Sequence, residues 1–348
     1  MEIDHTISMD SNLYGVSKNG AENRIGFLLI PSFSLLACVS AVEPLRAANR
    51  MASRPLYSWH FISADGRPVL ASNGMLQQVG AGLESSCNVS KLIVCGPFEP
   101  NLYRHAGVFK WLHHMAQKGI PLGALETGSY VLARAGLMHG YRSAIHWENY
   151  QGFVTEFPDI TVSREIFVVD RQRFTSAGGT AAMDMMLDQI QRKYGRELTA
   201  RIADLCVQDR IRSADAPQRL NVRLRTGISN AVMLNCIELM EGNIDQPLTA
   251  QECADLCGVS KRQLERLFQR YLNTTPSSYY MGLRLRCGRD LLEQTSLPII
   301  QIALACGFTS AGHFSHRFRS IFGKPPRMTR IRDGEARHRR PVSGADWH

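Results

Sequence analysis

The sequence predicts an α/β domain with a flavodoxin-like parallel sheet, followed by an all-α domain that contains two helix-turn-helix units. Three observations support this fold class. The chain has 348 residues, 44% of them apolar, which is enough for two cores of ordinary domain size. Short apolar strands alternate with amphipathic helices over residues 24–197. A helix-turn-helix pattern then occurs twice, at an offset of 49 residues.

The first domain is defined by the alternation of strands and helices. Residues 25–30 end at Pro31 and residues 91–95 end at Gly96, as buried strands do. Such alternation predicts a mostly parallel sheet with helices on both faces, whose ligand sites lie at the carboxyl ends of the strands. The other predicted strands are 59–63, 121–125, 167–170 and 173–176, and the predicted helices are 42–51, 108–118, 129–136 and one opened by Gly178 and Gly179 that runs to residue 194.

A segment without periodicity separates the two domains. Residues 212–229 are rich in Ser, Ala, Asp, Pro, Arg and Gly, which is typical of a linker. After it the sequence is helical until an Arg-rich tail. Residues 247–340 carry 16 Lys and Arg but only 7 Asp and Glu, an excess equal to the net charge of +9 of the whole chain. This local excess indicates either a phosphate-binding surface or an ordinary solvated basic face.

The second domain repeats one pattern: a short helix, a turn that needs Gly, a Ser or Thr N-cap, and a longer helix. The matching pairs include Ala254 with Ala303, Cys257 with Cys306, Gly258 with Gly307, Ser260 with Thr309 and Pro276 with Pro325. A helix over residues 276–293 joins the two units. We therefore predict two helix-turn-helix units in tandem.

Each longer helix has an apolar face that we assign to the core. This face comprises Leu264, Leu267, Phe268 and Tyr271 in the first helix and Phe314, Phe318, Ile321 and Phe322 in the second. The opposite faces of the two helices carry Arg, Lys, Gln and His, which either are ordinary solvated surface or contact the bases of DNA. Two such units in the basic part of the chain favour double-stranded DNA as the partner.

Residues 247–268 and 302–326 resemble the DNA-binding domain of the AraC/XylS family. The resemblance covers about 95 residues, and its second half, residues 302–326, is the more specific motif. It implies that Arg262, Glu265 and Arg266 face bases in one half-site, and that Gly312, His313 and His316 do so in the other. Gly312 has no side chain, so the second reading depends on the two histidines. Ser260, Lys261 and Ser310, at the helix starts, complete the predicted DNA-binding set.

Residues 121–148 and 176–184 resemble the class I glutamine amidotransferase-like fold of the PfpI relatives. Taken with the second domain, this is similar to the GlxA-type branch of AraC regulators. The resemblance implies a sensory domain that forms a homodimer. Some relatives of this type respond to arginine, carnitine or glycine betaine.

Enzymes of this fold carry a Cys nucleophile on a sharp strand-to-helix elbow, where a later His activates it. The elbow residue here is Glu126, the later His is His146, and none of the nine cysteines is near the elbow in sequence. We therefore predict a ligand site and no catalytic residue. The alternative for Glu126 is a carboxylate satisfied by the N–H groups of the elbow, without a ligand.

The expected ligand is a small cationic or zwitterionic metabolite. An acidic Glu126 and the segment His146-Trp147-Glu148 follow predicted strands, and acidic and aromatic groups suit ammonium or guanidinium ions. Backbone N–H groups of Thr127 and Gly128 are assigned to its carboxylate. The alternative is that Trp147 belongs to the core and Glu148 to the surface.

No cofactor and no metal site are expected. Cys253 and Cys257, with His313 or His316, are weighed as zinc ligands, but their spacing favours two small core residues. The cysteines form no disulfide framework, and no apolar run is long enough to span a membrane. The N-terminus lacks the pattern of a secretory signal, so the protein is expected in the cytoplasm.

The predicted function is a ligand-responsive transcription activator of an amino-acid or quaternary-amine operon, with RNA polymerase as a further candidate partner. Two alternatives stay open: an amidase- or hydratase-like enzyme with an autoregulatory DNA-binding domain, and an architectural DNA-binding protein. The predicted segments are a disordered tail at 1–23, a PfpI-like sensing domain at 24–197, a helix end and linker at 198–228, an AraC-type DNA-binding domain at 229–332, and a flexible tail at 333–348.

Overall fold

A computed structural model describes residues 23–85 and 88–330 of the chain. These residues belong to two units, Met1–Gln218 and Arg219–His348. The first unit is an α/β domain with a mostly parallel sheet, and the second is helical, so the predicted fold class is confirmed. The predicted tails at 1–23 and 333–348 lie outside the described residues, except for Asn23, which begins the first strand.

A six-stranded sheet forms the centre of the first unit. Its order is β2-β1-β5-β6-β10-β9, and every pair is parallel except β9 with β10. Two small sheets, β3-β4 and β7-β8, lie apart from it. The strands are β1 Asn23–Leu29, β2 Tyr57–Ile62, β3 Val69–Leu70, β4 Leu76–Gln77, β5 Lys91–Cys95, β6 Leu122–Leu125, β7 Arg142–Ala144, β8 Thr161–Ser163, β9 Phe167–Asp170 and β10 Arg173–Ser176.

Helices cover both faces of this sheet because its strands are apolar on both sides. Phe27 and Leu29 of β1 pack in one core cluster, whereas Leu28 packs in the other. Helices α1, α5 and α6 contribute to the first cluster, and α2, α3 and α4 to the second. Their bounds are α1 Leu35–Ala52, α2 Ala106–Gln117, α3 Gly128–Arg134, α4 Tyr150–Glu156, α5 Ala181–Tyr194 and α6 Arg196–Leu205.

Helix α1 begins seven residues earlier than the predicted start at residue 42. Ser34 is its N-cap and accepts a hydrogen bond from the N–H of Ala37, which satisfies a donor of the first turn. Pro44 is buried inside the helix, although Pro removes one backbone hydrogen bond there. The early start brings Ser34 to the carboxyl end of the sheet.

The described part of the second unit contains the helices α7 to α13, and residues 326–330 are helical as well. The named helices are α7 Val222–Thr226, α8 Ala231–Gly242, α9 Ala250–Leu256, α10 Lys261–Leu272, α11 Pro276–Gln294, α12 Ile299–Ala305 and α13 Ala311–Phe322. One core cluster joins α7 to α10, another joins α12 to α13, and α11 contributes side chains to both. The long joining helix therefore links two small helical cores.

The predicted linker at 198–228 contains regular structure. Leu198 and Ile202 of α6 pack in the core of the first unit, and Val222 of α7 is buried in the core of the second. The boundary between the units, after Gln218, falls inside this segment. Among the described helices, none is both long and apolar enough to cross a membrane.

Candidate functional site

A sharp turn connects β6 to α3 and carries Glu126. Its φ of 53° lies in the left-handed region, which is unusual for a residue with a side chain. The N–H of Glu126 donates to the carbonyl of Ser176 (3.0 Å), and the Thr127 hydroxyl donates to the carbonyl of Pro97 (2.5 Å). A Cβ on Gly96 would lie 2.0 Å from the nitrogen of Gly128, so the turn packs tightly on the end of β5. The predicted elbow is present.

The Glu126 carboxyl lies in an environment that disfavours its charge. Burial raises its pKa above the ordinary value, a hydrogen bond with Ser34 opposes this, and the negative charge of Glu148 raises the pKa further. Gly178 packs against the same side chain, since a Cβ built on it would lie 2.2 Å from Cγ of Glu126. The loops after β1, β6 and β10 therefore converge on Glu126.

The segment after β7 contributes the predicted aromatic and acidic groups. A short 3₁₀ turn, Trp147–Asn149, follows His146. Nδ1 of His146 lies 3.6 Å from a carboxylate oxygen of Glu148, and the rings of His146 and Trp147 are 5.4 Å apart. Burial lowers the pKa of His146, while Glu148 opposes the shift. Trp147 is 40% exposed and therefore does not belong to the core.

Within the described part of the chain, the two carboxylates of this site lie without a Lys or Arg counter-ion. No Lys or Arg of the described residues forms an ion pair with Glu126 or Glu148. Within the described residues, His146 is the basic side chain that lies near Glu148, and burial lowers the pKa of His146, which favours its neutral form. The two acidic side chains therefore lie close together without a Lys or Arg of the described residues to offset them, and a cation bound there would favour the charged form of Glu126.

In the second unit, α10 and α13 begin with matching caps. The Ser260 hydroxyl accepts from the N–H of Gln263, and the Ser310 hydroxyl accepts from the N–H of His313, both at 3.2 Å. The cap of α13 is thus Ser310 rather than Thr309, which the 49-residue offset pairs with Ser260. The capping role of both serines is clear, and their contact with DNA stays a prediction.

The offset between the two long helices is 50 residues. Leu264 and Phe268 of α10 are fully buried, and so are Phe314 and Phe318 of α13. The turn of the second unit is therefore one residue longer than the turn of the first. In this register Arg262 corresponds to Gly312, Glu265 to Ser315, Arg266 to His316 and Gln269 to Arg319.

The predicted base-facing side chains are exposed on one face of each helix. Arg262 and Arg266 make no hydrogen bond or ion pair within the described residues, and Lys261, Glu265 and His316 are exposed as well. His313 is exposed but packs edge-on against the Phe308 ring, 5.5 Å away. The prediction that Tyr271 and Ile321 point inward is wrong: they are 37% and 52% exposed, because Leu272 and Phe322, the next residues, pack against the two cores instead.

Comparison with known proteins identifies both units. Residues 24–192 match the DJ-1/PfpI family, and residues 253–332 match a helix-turn-helix domain. HTH-type transcriptional regulators GbdR and CdhR of Pseudomonas aeruginosa are each 45% identical, over 90% and 87% of this chain and 85% and 90% of their own lengths. GlxA of Rhizobium meliloti is 37% identical over 89% of this chain and 96% of its length.

The chain belongs to the GlxA-type branch of the AraC family of transcription regulators. This GlxA-type regulator binds DNA and is not an enzyme of the DJ-1/PfpI fold. A crystal structure of an AraC family transcriptional regulator from Pseudomonas putida matches 53% of the chain, with 26% identity and a TM-score of 0.49.

A cysteine near the elbow in space escaped the sequence analysis. Cys95, the last residue of β5, hydrogen-bonds with Cys38 and is affected by the charge of Glu126. Burial raises its pKa well above the ordinary thiol value, and the Cys38 and Glu126 groups raise it further. A protonated, buried thiol is a poor nucleophile. Ser34, Cys95 and Gly178 all come from distant parts of the sequence, so only the folded chain brings them to Glu126.

The other sequence-based assignments have mixed outcomes. Gly128 is buried, and its backbone packs against Gly96 and Val94 of the neighbouring strand end, so its amide as a carboxylate donor stays a prediction. Cys253 and Cys257 pack with Cys236 in the core of the first helix-turn-helix unit. In the described part of the chain, no group of three or more His, Cys, Asp or Glu side chains is arranged to hold a metal.

Proposed function

We propose that this regulator activates transcription of an amino-acid or quaternary-amine operon when a small cationic or zwitterionic metabolite binds at the Glu126 elbow. The observation that carries the proposal is the pair of carboxylates, Glu126 and Glu148, without a Lys or Arg counter-ion in the described residues. Burial disfavours the charged form of Glu126, and a ligand cation beside it would favour that form.

The chemistry of the site suits an ammonium or guanidinium group. The Trp147 side chain is 40% exposed, and an indole ring attracts a cation over its face by about 0.5 to 2 kcal/mol. Glu126 adds a charge-assisted hydrogen bond to a guanidinium, or a direct charge contact to a quaternary amine. A neutral His146 beside Trp147 completes the wall of the site without repelling the cation. For a zwitterion, the Thr127 N–H is the proposed donor to the carboxylate.

The DNA-binding part of the proposal assigns roles to the exposed face of α10 and α13. Arg262 and Arg266 would read guanine edges in one half-site with paired donors, and Lys261 and Glu265 would flank them. His313 and His316 would serve the second half-site. Such a pair of helices fits two successive major grooves, about 34 Å apart. Two copies of the chain and contact with RNA polymerase in the cytoplasm belong to the same proposal.

Isothermal titration calorimetry tests the effector site. Glycine betaine, carnitine and L-arginine are titrated into the wild-type chain, with succinate as an anionic control. We expect at least one amine to bind and succinate to fail. Glu126→Gln and Trp147→Ala should each weaken binding about tenfold, whereas Glu197→Gln, an exposed carboxylate elsewhere, should not. An anionic effector, or an affinity for the amine in both site variants equal to that of the wild type, would refute the proposal.

A further inference from the structure

Residues 206–218, which we name the connector, run from the end of α6 to the last residue of the first unit. The connector contains no helix or strand. Side chains at two of its positions nevertheless fix it to the first unit by several hydrogen bonds each. These positions are Arg212 and Gln218.

Arg212 is fixed to the first turns of α5. Its backbone N–H donates to one oxygen of Asp184 (2.9 Å), and its guanidinium donates to the other oxygen (2.6 and 2.9 Å). The same guanidinium donates to the hydroxyl of Thr180 (2.8 Å), and the Gln208 amide also donates to Asp184 (3.0 Å). The Asp184 side chain is fully buried, so it requires these partners.

Gln218 is fixed to the segments that directly follow β7 and β8. Its side-chain nitrogen donates to the carbonyls of Ile145 (3.1 Å) and Glu165 (2.9 Å) and lies 3.3 Å from that of Arg164. Its side-chain oxygen is buried and has no hydrogen-bond partner. An unsatisfied buried oxygen makes this arrangement less stable than a fully paired one. Release of the Gln218 side chain therefore costs less free energy than release of a fully hydrogen-bonded one.

Both attachments adjoin the effector site. Thr180 lies two residues after Gly178, whose backbone packs against the Glu126 side chain. Ile145 directly precedes His146. A ligand that moves Glu126 or the His146 ring thus acts on backbone within two residues of an atom that holds the connector. The next residue along the chain, Arg219, belongs to the second unit, where it lies 3.5 Å from Glu241.

We propose that the connector transmits effector occupancy to the DNA-binding unit, with Arg212 and Gln218 as the positioning residues that couple the two activities. The proposal rests on the proposed function, because it assumes an effector at Glu126. Effector binding would shift the connector between an attached and a released arrangement at Gln218. The coupling is reciprocal, so DNA binding would change effector affinity by the same factor.

The test compares full-length variants for effector binding and DNA binding separately. Gln218→Ala removes the side-chain contacts at that position, and the double variant Arg212→Met with Asp184→Asn removes the guanidinium contacts at the other without leaving a buried unpaired charge. Arg210→Met is the matched control, because Arg210 is exposed and has no hydrogen bond or ion pair with the described residues. Calorimetry measures affinity for glycine betaine, carnitine and L-arginine, and fluorescence anisotropy measures DNA affinity with and without the amine.

We expect Gln218→Ala and the double variant to bind amine and, without amine, DNA within about threefold of wild type. The change in DNA affinity caused by the amine, about 5- to 150-fold in allosteric proteins, should fall toward 1 in both. Arg210→Met should respond as wild type does. Variants that keep the full response, or that lose amine binding itself, overturn the coupling role. A wild type that binds no amine overturns the proposed effector site, and this inference with it.

Discussion

Arg284 of α11 is the residue on which we expect the position of the second recognition helix to depend. Its guanidinium donates to the carbonyls of Cys306 (2.8 Å) and Gly307 (2.6 Å), at the turn before α13. It also lies over the Phe308 ring, 4.3 Å from the centroid. These contacts join the helix shared by both cores to the turn that sets where α13 begins.

The cost of removing this guanidinium follows from its contacts. Hydrogen bonds that involve a charged group contribute about 1.5 to 3 kcal/mol each, and the ring contact about 0.5 to 2 kcal/mol. Arg284 is half-buried, so water replaces part of what is lost, and we expect Arg284→Met to destabilise the second unit by about 2 to 4 kcal/mol. Met keeps the apolar length of the side chain, which separates the loss of donors from a loss of packing.

Two assays measure the consequence. Urea unfolding of residues 219–332 gives the change in stability, and binding to operators whose half-sites are moved by one base pair gives the dependence on spacing. Arg284→Met should bind the normal operator more weakly and distinguish the altered spacings less than wild type does. Arg286→Met, at an exposed position of the same helix, is the control. A stability change below about 0.5 kcal/mol with unchanged spacing dependence would refute this role for Arg284.

Three further predictions concern the two sites and the boundary. Arg266→Ala should weaken the free energy of DNA binding by about 1 to 3 kcal/mol and relax base preference in one half-site. Arg270→Ala, at an exposed position of the same helix, should leave base preference unchanged. Identical motifs for wild type and Arg266→Ala in binding-site selection would contradict this. Because burial raises the pKa of Glu126, its carboxyl becomes neutral at a higher pH than an ordinary Glu does. Calorimetry should therefore show that amine affinity falls as the pH decreases from 7. The same pH dependence in Glu126→Gln would exclude Glu126 as its cause. Residues 219–348 should unfold at a higher temperature than residues 230–348, because the shorter fragment lacks the buried Val222 and Ile228. Burial of each of these side chains contributes about 1.5 to 3 kcal/mol to the free energy of unfolding. Equal melting temperatures would show that α7 is dispensable for the stability of this unit.

The main strands were predictable because their apolar runs are short and end in Pro or Gly. The predicted strands 91–95, 167–170 and 173–176 match β5, β9 and β10 at both ends. The three-residue strands β7 and β8 were missed, since a pattern with a period of two cannot be recognised over so few residues. Helix α6 was predicted only as a helix end before the linker. It is a separate helix that begins after Gly195, and the core residues against which it packs lie far away in sequence, so no local pattern indicated it.

The sites were predictable where one sequence segment carries them. The elbow at Glu126 and the outward face of α10 each occupy a continuous stretch, and both are present as expected. The repeat placed the N-cap of α13 one residue too early, at Thr309, because Thr309 and Ser310 are both good caps and only the burial of Phe314 and Phe318 fixes the register. Contacts between distant segments, such as Ser34 or Gly178 with Glu126, have no local signal in the sequence.

The left-handed backbone at Glu126 has a consequence for how this regulator can change. A side chain in that conformation costs about 1 to 2 kcal/mol relative to glycine, so the fold would be more stable with Gly at position 126. The substitution that most relieves the backbone would also delete the carboxylate at the centre of the proposed site. Selection for thermal stability alone, in a laboratory library scored by solubility, would therefore favour loss of sensing at this position. A useful screen has to score folding and the response to ligand together.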